Sequence, residues 1–192
     1  RHFLGGGYMT QKVLFITSNV GVEHDELIQP LHFLQSKGIE CIHAAIEAHD
    51  VRTVKMDSES AASYPPDVDL DHVHYDDYDL LIIPSGAVNA DLLRHHPKAL
   101  EIIQSFSNQA KPIAVICHAP LVLINAERIQ AEQLTSHKNI RLDLENAGAI
   151  WVEEAIHTCY AGGWTLISSR SSEDLPAFNQ AILKELESNS SV

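Results

Sequence analysis

The sequence predicts an α/β fold, a three-layer sandwich around a mainly parallel central sheet. Three apolar runs carry that expectation: KVLFIT (12–17), YDLLIIP (78–84) and KPIAVIC (111–117). None alternates apolar with polar residues, which is the pattern of strands buried on both faces of a parallel sheet. Each run is followed by a segment of helical periodicity, and alternating strands and helices build such a sandwich.

Taken in order, the start RHFLGGGY reads as an expression remnant over residues 1–8, ahead of a natural start at Met9. Residues 9–188 read as a single domain and 189–192 as a flexible tail. After the first strand, Leu27, Leu31 and Leu34 fall at helical spacing, and Gly38 is a C-terminal stop. IECIHAAI (39–46) reads as a second strand. SYPPDVDLDHVHYDDYD (63–79) is rich in Asp and holds His72 and His74. It lacks the spacing and central glycine of a calcium loop and reads as a solvated charge run. HPKALEIIQSFSNQ, APLVLINAERI and NIRLDLENAG (139–148) each predict a helix. IWVEEAIHTCYAGGWTLISSR predicts strand, strand, Gly-Gly turn and strand at an antiparallel edge. SSEDLPAFNQAILKELE closes the chain as a helix capped by Ser171 or Ser172, with a buried stripe of Leu175, Phe178, Ile182, Leu183 and Leu186.

Composition narrows the class. The chain has 192 residues, 45% of them apolar, enough for a sizeable core. Thirteen basic residues stand against 26 acidic ones, a net charge of −13. That field repels nucleic acid and anionic lipid, so neither is expected as a partner. Runs such as LLII are too short to cross a bilayer. Three dispersed cysteines make no disulfide framework and suit a reduced, cytoplasmic setting.

In an open parallel sheet the loops after the strands share one crevice. The groups arriving there are SNVGVEHDE, ending on Glu26, then SGAVNAD, and then the pair Cys117 and His118. A sharp strand-to-helix turn at Cys117 would lift its sulfur above the sheet, and the amides of the next helix would favour a thiolate. Amides of His118 and Gly86 would then hold an oxyanion. The other reading of Cys117 is an inert core thiol, since free cysteine is among the most buried residue types. Cys41 and Cys159 read as packing residues. Glu26 reads either as a solvated acid of a first helical turn or as a carboxyl close to the sulfur that donates a hydrogen bond or moves protons.

At KVLFITSN, ELIQP, YDLLIIPSG, KPIAVICHAP, LTSHKNIRLDLENAGAIWVEE and LISSRSSEDLPAFNQAIL the chain resembles the PfpI-like family. These are the intracellular-protease and deglycase relatives within the flavodoxin-like, class I glutamine amidotransferase-like fold. The resemblance implies a nucleophile at Cys117, a neighbouring histidine at His118 and an assisting carboxyl at Glu26. It implies an oxyanion site at Gly86 and His118, with Ser85 and Ala119 beside the pocket and His137 lining it. Asp91 matches an acid that, in hexameric relatives, reaches the histidine of an adjoining subunit. PSG stands here in place of PGG, and CHAP in place of CHGP, so Ser85 and Ala119 add side chains where the family carries glycine.

The function this implies is a cysteine-dependent enzyme on small reactive carbonyls or their protein adducts, of glyoxalase III or deglycase type, turning methylglyoxal into lactate. An intracellular cysteine peptidase and a non-enzymatic redox-sensing stress protein or chaperone are the alternatives. No cofactor and no metal is called for, because thiol addition and proton transfer accomplish the conversion. Expected partners are a small carbonyl or glycated protein and further copies of the chain, as a homodimer or hexamer.

Overall fold

Val13, Leu14, Phe15 and Ile16 are all fully buried, so the first run leaves no polar face for water. It forms β1 (Lys12–Thr17), an interior strand of the sheet. A short strand, β2 (Val20–Glu23), leads directly into helix α1 (His24–Ser36), whose Leu27, Leu31 and Leu34 are buried as their spacing predicts. Gly38, at φ +79°, ends that helix in the left-handed conformation open to glycine, and Ile39 N–H closes on the Leu34 carbonyl at 3.1 Å. Strands β3 (Glu40–Ala45), β4 (Arg52–Lys55), β5 (Glu59–Ser60) and β6 (Val68–Asp69) follow. The second and third apolar runs become β7 (Leu80–Ile83) and β8 (Ile113–Ile116), separated by α2 (Ala87–Leu93) and α3 (Pro97–Asn108). Then come α4 (Pro120–Asn125), β9 (Gln133–Leu134), α5 (Arg141–Asn146), β10 (Ile150–Trp151), β11 (Ile156–Cys159), β12 (Leu166–Ser169) and α6 (Leu175–Ser190). The computed structural model describes residues 10–190, so the reading of residues 1–8 as a remnant lies outside the described residues.

The main sheet runs β11-β12-β8-β7-β1-β3-β6, and every pairing in it is parallel except β11 on β12. Its two faces bury separate apolar clusters. Leu14, Ile16, Leu81, Ile83, Ile113 and Val115 pack against α2, α3, α4 and α5. Val13, Phe15, Leu80, Ile82, Ala114 and Ile116 pack against α1 and α6. Each fully buried Leu, Ile or Phe contributes about 1.5–3 kcal/mol, so two such layers fix the sandwich.

Four readings are corrected. Ile150–Trp151 does not join the hairpin at the sheet edge but pairs in parallel with Gln133–Leu134 as a separate ribbon. Residues 20–23 form a strand that pairs with β4, and β4 turns back on β5, so a second small sheet stands over the crevice. Ser171 and Ser172 do not cap the last helix; a 3-10 turn (Ser172–Asp174) precedes α6, and the Ser172 hydroxyl donates to Glu26 Oε2 at 3.0 Å. The tail expected at 189–192 is helical to Ser190, and the last two residues lie outside the described ones. The Asp-rich stretch 63–79 contributes the edge strand β6 and a 3-10 turn at Tyr75–Asp77.

Candidate active site

Cys117 sits at the end of β8 with φ +63°, a left-handed conformation that costs a non-glycine residue about 1–3 kcal/mol. The turn is clamped on every side. Cys117 N–H donates to the Ser169 carbonyl at 3.1 Å, His137 N–H to the Cys117 carbonyl at 2.9 Å, and Ala119 N–H to the Ile116 carbonyl at 3.0 Å. Neighbouring strand β12 and the loop before α5 therefore hold the strain, and the sulfur is turned up at the carboxyl edge of the sheet.

The sulfur lies 3.3 Å from His118 Nδ1. It is 5% exposed, with one flank in the apolar cluster beneath α1 and α6. Its other flank opens into a cavity of about 460 Å³. Glu23, Glu26, Asp57, His137 and Ser172 line that cavity together with Cys117. So the thiol is enclosed but reachable, unlike Cys41, which is 8% exposed within β3 and whose thiol burial pushes up to about 12.

Glu26 is 1% exposed, in the first turn of α1. The reading of it as a solvated acid is thereby excluded. Burial, then the Glu23 charge, pushes its carboxyl up to about 8, so it is protonated at neutral pH. Oε2 accepts from the Ser172 hydroxyl at 3.0 Å, and the Ser85 backbone amide also draws the carboxyl pKa back. Glu26 does not hydrogen-bond the Cys117 sulfur among the described residues; it faces the same cavity, which leaves the proton-moving role rather than a direct bond to sulfur. A neutral carboxyl facing the same cavity as a thiol has a proton to give.

Burial also pushes the Cys117 thiol up, and the Glu26 carboxylate pushes it further; the Ser85 hydroxyl and His118 N–H draw it back. Once Glu26 is protonated its contribution vanishes, and burial, with the Asp57 charge, opposes the thiolate. The resting sulfur is thus a thiol, not the thiolate expected from an opening helix. α4, the helix that opens after it, has only six residues.

His118 is 9% exposed and stacks on His137, ring centroids 4.6 Å apart. Burial, with the neighbouring His137, lowers its pKa, so it is a neutral acceptor at pH 7. Asp57 opposes that shift, with Oδ2 4.0 Å from His118 Nδ1. Asp57 comes from the tip of the β4–β5 hairpin, where Met56 (φ 51°) and Asp57 (φ 61°) are both left-handed. Glu23 holds that tip by accepting from Met56 N–H at 3.2 Å and Asp57 N–H at 2.6 Å. Asp57 Oδ1 in turn accepts from Ala87 N–H at 2.7 Å, which ties the hairpin to the start of α2. Sequence reasoning missed this acid, and also Glu23 and Ser172. Lys55–Ser58 has no periodicity to mark it, whereas Ser172 stood out only as a helix cap.

The remaining expected residues divide. His137 lines the cavity. Ser85 is fully buried, its Oγ accepting from the His118 N–H at 2.9 Å. Gly86, at φ +118°, has a packing reason to be glycine, because a Cβ there would lie 1.8 Å from the Gly21 carbonyl oxygen. Ala119 is fully buried in the core cluster on the far face, so it does not narrow the pocket. Asp91 is on the exposed side of α2 and does not reach His118 within the chain.

The profile of the DJ-1/PfpI family matches residues 11–185. General stress protein 18 of Bacillus subtilis (strain 168) is 34% identical over 165 residues, covering 86% of this chain and 92% of that protein. Deglycase PfpI of Pyrococcus furiosus is 33% identical over 175 residues, covering 91% and 99%. The crystal structure of Drosophila melanogaster DJ-1beta superposes with a TM-score of 0.82 at 25% identity, covering 93% of this chain and 91% of that one.

Proposed function

The chain belongs to the DJ-1/PfpI family, and from that membership and the site geometry we propose that it is a cysteine-dependent enzyme acting on small reactive carbonyls or their protein adducts. The observation that carries this reading is the trio around one cavity: a thiol on a strained turn, a neutral histidine 3.3 Å from it, and a buried, protonated carboxyl. Relatives that bear the name deglycase support the substrate class.

With methylglyoxal, His118 Nδ1 takes the thiol proton and the thiolate adds to the aldehyde carbon. A C–S bond forms, the carbonyl π pair moves to oxygen, and Glu26 gives that oxygen its proton. The Glu26 carboxylate then removes the proton on the same carbon and returns it to the adjacent ketone carbon, while the hydroxyl proton passes to the ketone oxygen. The product is a lactoyl thioester. Water attacks it and gives a proton back to the Glu26 carboxylate, the C–S bond breaks, and the sulfur regains its proton from the His118 imidazolium as lactic acid leaves. One water is consumed, and no outside oxidant or reductant enters. From an amine hemiaminal the C–N bond breaks first: the carbinol oxygen re-forms the C=O, its proton leaves on the amine, and the thiolate then adds to the released aldehyde as above. Asp57 stabilises the imidazolium that exists while the thiolate is free.

A cavity of about 460 Å³ suits a small carbonyl or one modified side chain better than an extended peptide, which weighs against a peptidase. The burial and raised thiol pKa of Cys117 weigh against a peroxide sensor. Replacing the nucleophile tests the proposal directly. Cys117→Ser should lower methylglyoxal-dependent lactate release by about a thousandfold or more with an unchanged circular dichroism spectrum. Turnover by that variant at the wild-type rate would remove the reading.

A further inference from the structure

Ser172 sits at the head of the 3-10 turn between β12 and α6, half-buried, and lines the cavity that holds Cys117. Its hydroxyl donates to Glu26 Oε2 at 3.0 Å, and among the described residues it is the side chain that hydrogen-bonds that carboxyl. The turn itself is firmly held. Asp174, 5% exposed, accepts from Arg170 N–H at 3.1 Å and from the Arg170 guanidinium through Nε at 2.9 Å and Nη2 at 3.0 Å. Asp174 N–H in turn donates to the Ser171 carbonyl at 2.9 Å. A forked pair of this kind fixes orientation as well as distance, so Ser172 meets Glu26 from a preset position.

We propose that Ser172 is a positioning residue for Glu26: its hydroxyl pins Oε2 and stabilises the carboxylate that stands between the proton Glu26 gives to substrate and the one it regains from water. The need follows from the surroundings. The other titratable groups of the cavity are Glu23 from β2, Asp57 from the hairpin tip, Cys117 from β8, His137 from the loop before α5, and Glu173. On α1 itself, His24 and Asp25 pair with each other. Glu23 and Asp57 both oppose a negative charge on Glu26, as burial does. The Ser172 hydroxyl works the other way, and the Ser85 backbone amide adds to it. An acid that must also serve as a base works best with both of its forms within reach of neutral pH, and a donor to the charged form brings the carboxylate closer. A hydroxyl that instead accepted the acid's proton would favour the neutral form. The two directions of this hydrogen bond therefore leave opposite marks on the titration of Glu26.

This role rests on the carbonyl chemistry proposed above, and the test keeps the two apart. The carbon NMR signal of the Glu26 side-chain carboxyl, assigned by its loss in Glu26→Gln, is followed against pH in the wild type, Ser172→Ala and Ser172→Thr. Ser172→Ala should move the midpoint up by about one pH unit, and Ser172→Thr, which keeps the hydroxyl, should hold it near the wild-type value. In Ser172→Ala the methylglyoxal kcat at pH 7 should fall about tenfold. The alkaline limb of its pH–rate profile, where Glu26 loses its proton, should rise with the carboxyl midpoint, while the acid limb set by His118 stays in place. A change that only loosened the turn would lower the rate and move neither limb. Ser172→Ala removes one oxygen and adds no bulk, and a wild-type circular dichroism spectrum verifies its fold. An unmoved or lowered midpoint in that folded variant would overturn the role of Ser172. A raised midpoint, together with lactate release that survives Cys117→Ser, would instead keep the hold of Ser172 on Glu26 and discard the carbonyl reading.

Discussion

Asp57 is the acid within reach of His118, 4.0 Å from its Nδ1, and Asp91 is the acid that family resemblance pointed to. The two make opposite predictions. Asp57→Asn keeps an oxygen for the Ala87 N–H and removes the charge facing the imidazole. It should lower kcat/KM about tenfold, because an unsupported imidazolium is a poorer partner for thiolate. Since Asp57 raises the histidine pKa against burial, its loss should also move the acid limb of the pH–rate profile to lower pH. Asp91→Asn should change neither in a site completed within one chain. The reverse pattern, an inert Asp57→Asn and a damaging Asp91→Asn, would assign the histidine's acid to a neighbouring subunit. Glu26 is the other decisive side chain, and its neutral state at pH 7 follows from burial more than from any single charge.

At the scale of elements, what was legible and what was not have physical reasons. Strands β1, β7 and β8 announce themselves because two-sided burial demands unbroken apolar runs. The pair Cys117–His118 and the acid Glu26 were legible because parallel topology sends the ends of β1 and β8 to the same edge. The β4–β5 hairpin was not. Its strands are short and mostly exposed, so no apolar period marks them, and its tip adopts two left-handed conformations at Met56 and Asp57, neither of them a glycine that would signal a turn. Only the fold shows that Glu23 receives both amides of the tip and so carries Asp57 to His118. The closing segment misled for a related reason. Ser172 has the composition of a helix cap, but a buried carboxyl from α1, 146 residues away, offers its hydroxyl a better acceptor. Local pattern cannot register a partner at that distance. Glu23→Gln tests the hairpin's support: with one oxygen replaced by an amide NH2 that cannot accept, one of the two tip amides loses its partner, which should loosen the tip and lower turnover severalfold, with faster amide exchange confined to residues 55–58.

For the whole molecule, the raised carboxyl pKa of Glu26 is a statement about stability. The folded state holds its proton up to about pH 8, whereas the unfolded chain releases it near 4.5. Between those values the native state binds more protons than the unfolded one, so stability falls as pH rises from 4.5 to 8, by at most about 5 kcal/mol from this group. Glu26→Gln should flatten that part of the pH–stability profile in chemical denaturation, and a wild-type slope in the variant would show that the carboxyl is not held neutral. The same arrangement ties stability to function, because the protonated acid that costs the protein alkaline stability is the one that supplies a proton to the substrate. No helix among the described residues is long and apolar enough to cross a membrane. The whole account returns to the cavity over β8, and one measurement reaches it most directly. The protein is quenched with acid during methylglyoxal turnover and its peptides are mapped by mass. A single methylglyoxal-derived adduct on Cys117, with Cys41 and Cys159 unmodified, is the predicted result; lactate accumulating while Cys117 stays free of adduct throughout would contradict it.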